Sequence, residues 1–152
     1  MSIEQNLGYF FFDKNHLKRA LRHPSHAEAE VLPEPPFQQV PYGVLGRSLL
    51  GAIVAEFAVR SGCETAEEMA GHNTLILDQQ RLSQMQWDLC LDFYLKVGPA
   101  ERDAGLHQDA AVLQETLMAL FGAIYLDGGY SSLRRVVKRF LVDPALGHTE
   151  AG

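Results

Sequence analysis

His23 and His26 flank a proline in the segment HPSH, and two imidazoles so close in sequence are the first side chains that could do chemistry, as a pair of metal ligands. Pro24 breaks the helical geometry that would set both rings on one face, so no metal is expected there. The two cysteines, Cys63 and Cys90, stand apart with no CxxC spacing and no histidine-rich context. They read as buried thiols in a reducing compartment, not as zinc ligands or a disulfide. Among the acids, Glu68 lies three residues after Thr65 and reads as half of a capping box, and Asp127 in YLDGG reads as a turn former at a helix end. Arg134, Arg135, Lys138 and Arg139 share one helix face. They are the candidates for contact with RNA phosphates, and a solvated outer face accounts for them equally well.

Those residues belong to a chain of 152 residues, 47% hydrophobic and 21% charged, which suits one globular domain over positions 1–152 and excludes a disordered or fibrous protein. Thirteen basic against nineteen acidic residues give a formal charge of −6. That balance disfavours a nonspecific nucleic-acid binder, whose affinity comes from phosphate contacts, so only a local basic patch could hold RNA. The N-terminal stretch MSIEQNLGYFFFDKNH has no basic region before its apolar run, and the run is too short to span a bilayer. A soluble intracellular protein with no membrane partner is expected, with cytoplasm and organelle both open.

The elements that must position these side chains all read as helices. Asp13 can cap a helix with Leu17, Ala20 and Leu21 on one side and Lys14, Lys18 and Arg19 on the other, ended by Pro24. The stretch 27–41 holds four of the seven prolines and reads as a mobile loop. Val44, Leu45, Leu49, Ala52, Ile53 and Phe57 then recur at helical spacing, with Gly46, Ser48 and Gly51 between them to let another helix approach. Thr65 and Asp78 each start a helix. From His107 to Asp127 the residues Ala110, Leu113, Leu117, Leu120, Phe121 and Ile124 form a stripe that Gly128 and Gly129 stop. Ser131 or Ser132 opens a last helix with Leu133, Val136, Val137, Phe140 and Leu141 inward, ending before Pro144, and 144–152 reads as a flexible tail. No run alternates with period two, so the class is all-α.

Taken in order, these segments resemble the endonuclease domain of the ribonuclease III family from about Leu7 to Leu141. LGYFFFDKNHLKRALRHPSH is similar to that family's opening "LGY-F-x(n)-LL-x-x-ALTHRSY", and GAIYLDGGY to its closing "EALIGAIYLDGG". Between them, VPYGVLGRSLLGAIVAEF stands where the family has "ERLEFLGDAVLGLVVAEY", and EEMAGHNTLILDQQRLSQ where it has "EGELTRLRAALVSRETLA". The resemblance implies an all-α ribonuclease III-like fold and a family activity of double-stranded RNA cleavage by two Mg²⁺ ions held on carboxylates. It places the three acids of the signature on Val40, Gly43 and Arg47, and the two acids of the later motif on Glu115 and Met118.

Four of those five positions carry no acid, and Arg47 sets a permanent positive charge where a cation would sit. At about 4 Å and an effective dielectric near 20, each repelled unit charge costs roughly 4 kcal/mol. No catalytic residue, metal or cofactor is therefore expected, with Mg²⁺ relevant only if the activity survives on relocated acids. Arg47 and Glu115 are instead expected to meet as an ion pair. Glu68 falls on the family's "EGEL" acid, His23 on the structural "THRS" position, and Ala70, Gly71, His72 and Asn73 replace the basic "TRLR" segment. The double-stranded RNA-binding domain of many members has no counterpart in this sequence. The expected function is an inactive ribonuclease III-like pseudoenzyme, a structural or accessory subunit in RNA processing or a ribonucleoprotein such as a ribosome, paired with a second ribonuclease III-like domain as homodimer or heterodimer. The alternatives are an active stand-alone endonuclease and a dimerisation module without RNA.

Overall fold

The computed structural model describes residues 2–29 and 37–147, and no strand forms among them. In chain order the helices are α1 (Ile3–Leu7), α2 (Lys14–Ala20), α3 (Pro24–Ala29), α4 (Val40–Arg60), α5 (Ala66–Ile76), α6 (Gln79–Asp88), α7 (Leu91–Tyr94), α8 (Pro99–Asp103), α9 (Ala110–Val137) and α10 (Asp143–Leu146). A 3₁₀ turn, Leu106–Gln108, precedes α9, and a π turn, Lys138–Val142, joins α9 to α10.

Side-chain caps set five of the ten starts named above. The side chain of Asp13 accepts from the Asn15 amide, Thr65 from Glu68, Asp78 from Gln80 and Asp109 from Val112. Each satisfies an amide that the first turn of a helix leaves without a partner. The Thr65 motif is only half a capping box, because the Glu68 carboxylate reaches back to the Glu64 amide instead of that of Thr65. Ser2 and Gln5 form a complete box that starts α1, a helix missing from the sequence reading because it is five residues long.

The prolines act differently from expectation. Pro24 does not end α2, which stops at Ala20; it occupies the first position of α3, where a missing amide hydrogen is harmless. Residues 27–29 are therefore helical, and Val40 and Pro41 already belong to the first turn of α4, so both ends of the expected 27–41 loop are ordered; residues 30–36 lie outside the described residues. Pro144 lies inside α10, with the helical path continuing to Leu146. The π turn just before it loosens the register where Pro144 has no hydrogen to donate. Of the expected tail, 148–152 lie outside the described residues.

At the centre α4 and α9 pack along their lengths, and the remaining helices cover them. Both are long and apolar enough to cross a membrane by length and composition alone, yet each buries its inner face against the other. The buried face of α4 is Gly43, Gly46, Leu50, Ile53, Val54, Phe57 and Ala58. This corrects the expected stripe: Val44 is 66% exposed and Ala52 is exposed too. Ile53 and Phe57 lie where expected. On α9 the stripe holds from Leu117 onward, where Leu117, Leu120, Phe121 and Ile124 are sealed from solvent, but the helix starts at Ala110 and not at His107, Ala110 is exposed and Leu113 is only partly buried. Gly129 departs from helical geometry at φ 84°, a left-handed value that only glycine adopts without strain, and it breaks α9 where a stop was expected.

Candidate functional site

The first two turns of α4 and the N-terminal half of α9 bring the family's acid positions to one place. Two glycines make this approach possible: a Cβ on Gly46 would fall on the Met118 carbonyl, and one on Gly122 would fall on the carbonyl of Tyr42. Beside them, Gly43 lies under Glu115, whose carboxylate stands 3.6 Å from where a Cβ at Gly43 would be. One turn further along α4, Arg47 donates from Nη2 to Glu115 Oε1 in the expected ion pair. Both side chains are more than half exposed, so solvent and salt screen the pair and it contributes about 1 kcal/mol or less. Val40 is half exposed at the helix start, and Met118 is buried in the core. A recess of about 210 Å³ lined by His23, Gln39, Val40, Gly43 and Glu115 remains beside the pair.

This set does not fit magnesium. The ion takes hard oxygen ligands in near-octahedral array, and one carboxylate already bound to a guanidinium, next to a glycine, a valine and a sealed methionine, supplies no such array. Behind the recess lies a buried polar link that sequence reasoning missed. Gln39 donates its amide to the Ala20 carbonyl at 2.8 Å and to Thr116 Oγ1 at 3.1 Å, and the Thr116 hydroxyl approaches the Val112 carbonyl at 2.9 Å. These bonds tie α2, the start of α4 and α9 together directly behind the acid positions. Gln39 precedes α4 in a stretch read as loop, which hid it.

The other candidates are committed elsewhere. His23 Nδ1 accepts the Ser25 amide at 3.0 Å, which leaves the ring proton on Nε2; burial lowers its pKa, against smaller opposing effects of Glu101 and Glu28. His26 Nδ1 accepts from Arg22, so the two rings serve the local turn and not a shared metal. Glu68 serves the start of α5. Asp127 is more than a turn former: its carboxylate accepts from the Tyr9 hydroxyl at 2.6 Å and from the amides of Phe12 and Asp13 at 2.8 Å each. Burial disfavours its charge, but those three donors together hold its pKa below the usual value, while Tyr9 is pushed up by burial and by Asp127.

The basic set divides. Arg134 bonds Glu56 and lies over the Phe57 ring, and Lys138 pairs with the buried Asp143. Glu56 also accepts from Tyr130 and Arg60, and these bonds bring its pKa down to about 2. Arg139 stacks on Phe140 and Arg135 is exposed, so the four do not present one open cationic face.

Comparison with known proteins agrees with this geometry. The Ribonuclease-III-like family model matches residues 13–145. "Ribonuclease 3" of Magnetococcus marinus is 31% identical over 151 residues, covering 95% of this chain and 61% of that protein. The enzyme of the same name from Azorhizobium caulinodans is 29% identical over 140 residues, covering 91% of this chain and 59% of its own length. The chain thus spans about three-fifths of these relatives. Among solved structures, the nuclease domain of ribonuclease III from Campylobacter jejuni superposes with a TM-score of 0.80 at 22% identity, covering 95% of this chain and 96% of that one, which establishes the fold. That structure is described as flexible in a region involved in dimer formation.

Proposed function

This chain belongs to the ribonuclease-III-like family, and from that premise we propose that it has exchanged metal-dependent cleavage for a structural or accessory role in RNA processing or in a ribonucleoprotein. The observation that carries the proposal is the Arg47–Glu115 pair. Where the resemblance places two acids that share a metal, a guanidinium now binds the one carboxylate left, and the helices are linked directly. A soluble, intracellular protein belongs to the same proposal, supported by the burial of the inner faces of the two long apolar helices, α4 and α9, against each other. The test is turnover of double-stranded RNA with Mg²⁺ and substrate in excess. No cleavage above the uncatalysed background is expected, and activity that survives purification and disappears in Glu115→Ala would favour the active endonuclease instead.

The same reading includes a dimer, with a second copy or another ribonuclease III-like domain. Its support is the outer face of α4, where Val44, Ser48, Ala52 and Val59 present an apolar strip of small and branched side chains to solvent. An interface of this kind should bury about 1,000 Å² or more in total. Sedimentation at tens of micromolar should give a species of twice the 16.9 kDa chain mass, and Val44→Glu should return it to monomer. A wild-type chain that sediments only as monomer refutes the homodimer.

A further inference from the structure

We propose that a cleft on the flank of α2, whose lining includes neither Arg47 nor Glu115, is a subsite for single-stranded RNA, holding a phosphate on Lys18 and Arg19 and stacking a base on Phe37. The cleft has a volume of about 450 Å³ and is lined by His16, Lys18, Arg19, Arg22, Phe37 and Tyr42, which suits a group of nucleotide size.

Its centre is Arg19. The guanidinium carbon lies 5.1 Å from the Phe37 ring centre and 4.7 Å from that of Tyr42, while Nε donates to the Gln38 carbonyl at 2.9 Å. Two rings and a carbonyl fix the group without neutralising it. The terminal nitrogens have no partner among the described residues, and they form the fork that binds phosphate oxygens in pairs. Lys18, exposed and without an ion pair among the described residues, adds a second positive charge one residue away. Arg22 is aligned by the Phe37 carbonyl and by His26, and Tyr42 is held by His16 at 2.7 Å. Phe37 is 53% exposed, so part of its ring surface is open to a base.

Cations beside an open aromatic ring are the elements with which proteins hold unpaired nucleotides, the charge tracking the phosphate and the ring accepting any base. In a chain of charge −6, whose Arg134 and Lys138 are bound internally, this is the local basic patch that RNA contact requires. The choice of RNA over other phosphate ligands rests on the function proposed above. The two fail separately, since cleavage of duplex RNA would overturn that reading and leave this binding measurement standing.

The test is a titration of the full chain with an end-labelled five-nucleotide single-stranded RNA, with a nucleoside and inorganic phosphate as competitors. Saturable binding is expected, weakened about tenfold in Phe37→Ala by loss of the stacking surface. Lys18→Gln, which removes an exposed side chain and leaves the fold intact, should flatten the slope of log affinity against log salt by about 0.7. Arg135→Gln, on the helix first suspected of RNA contact, should bind as wild type. The proposal is overturned if no binding saturates, if Lys18→Gln and Phe37→Ala bind as wild type, if Arg135→Gln weakens binding as much as they do, or if inorganic phosphate competes as well as unlabelled oligonucleotide, which would reveal an anion site only.

Discussion

Gly46→Ala should cost about 3 kcal/mol or more of folding free energy, at the upper end of what one added methyl does in a packed interior. The reason is the nature of the obstacle. A Cβ at Gly46 would meet the Met118 carbonyl and come within 2.8 Å of the Gly122 amide nitrogen, both of them backbone atoms of α9. A flexible side chain can swing aside, whereas a helix backbone moves only as a body and drags its packed neighbours with it. The whole α4–α9 spacing would have to widen, opening gaps along an interface that now seals Leu117, Phe121 and Ile53. Against a typical total of about 5 to 15 kcal/mol, the loss would be a large fraction of stability. Gly71→Ala in α5 is the comparison, because nothing lies within 4 Å of its Cβ position and the change should stabilise by up to about 1 kcal/mol. Urea titration of the three proteins decides the matter, and equal midpoints for Gly46→Ala and wild type would refute the steric argument.

Asp127→Ala should be the next most damaging, at about 2 to 3 kcal/mol, because one carboxylate gathers three donors from a segment more than 110 residues away. Its loss leaves the part-buried Tyr9 hydroxyl and two amides to water, and it detaches the N-terminal strap that carries Ile3, Leu7 and Phe11 into the core. Hydrogen exchange should quicken first at Phe12 and Asp13. The pH dependence has a definite sign. The folded-state pKa of Asp127 lies below its ordinary value, so its contribution is complete above about pH 4 and drains away as pH falls through the folded value. Glu56 behaves alike, its share fading from about 4.5 down to about 2. Wild-type stability should therefore fall on acidification below about pH 4.5, and Asp127→Asn should make that fall shallower. An unchanged acid profile in Asp127→Asn would show that its bonds carry no linkage.

By itself the sequence determined the helical class, the long helices and the loss of acids. Helix starts at Asp13, Thr65 and Asp78 were legible because a capping side chain acts on amides two or three residues away, and the break at Gly129 because only glycine adopts that φ at no cost. The absence of carboxylates at Val40, Gly43, Arg47 and Met118 could be read from residue types alone, and opposite charges at Arg47 and Glu115 foretold their pairing. Tertiary structure decided which side of α4 is buried. That helix is apolar nearly all round, so periodicity has no unique answer, and the inner side goes to the face of Gly46, because only a residue without a Cβ admits the backbone of α9 there. Contacts between distant segments likewise settled the partners of Asp127, the link from Gln39 to Thr116, and the division of the basic residues between internal pairs and the open cleft on α2. A side chain's charge belongs to the sequence, but whether that charge is neutralised depends on what folding brings within reach.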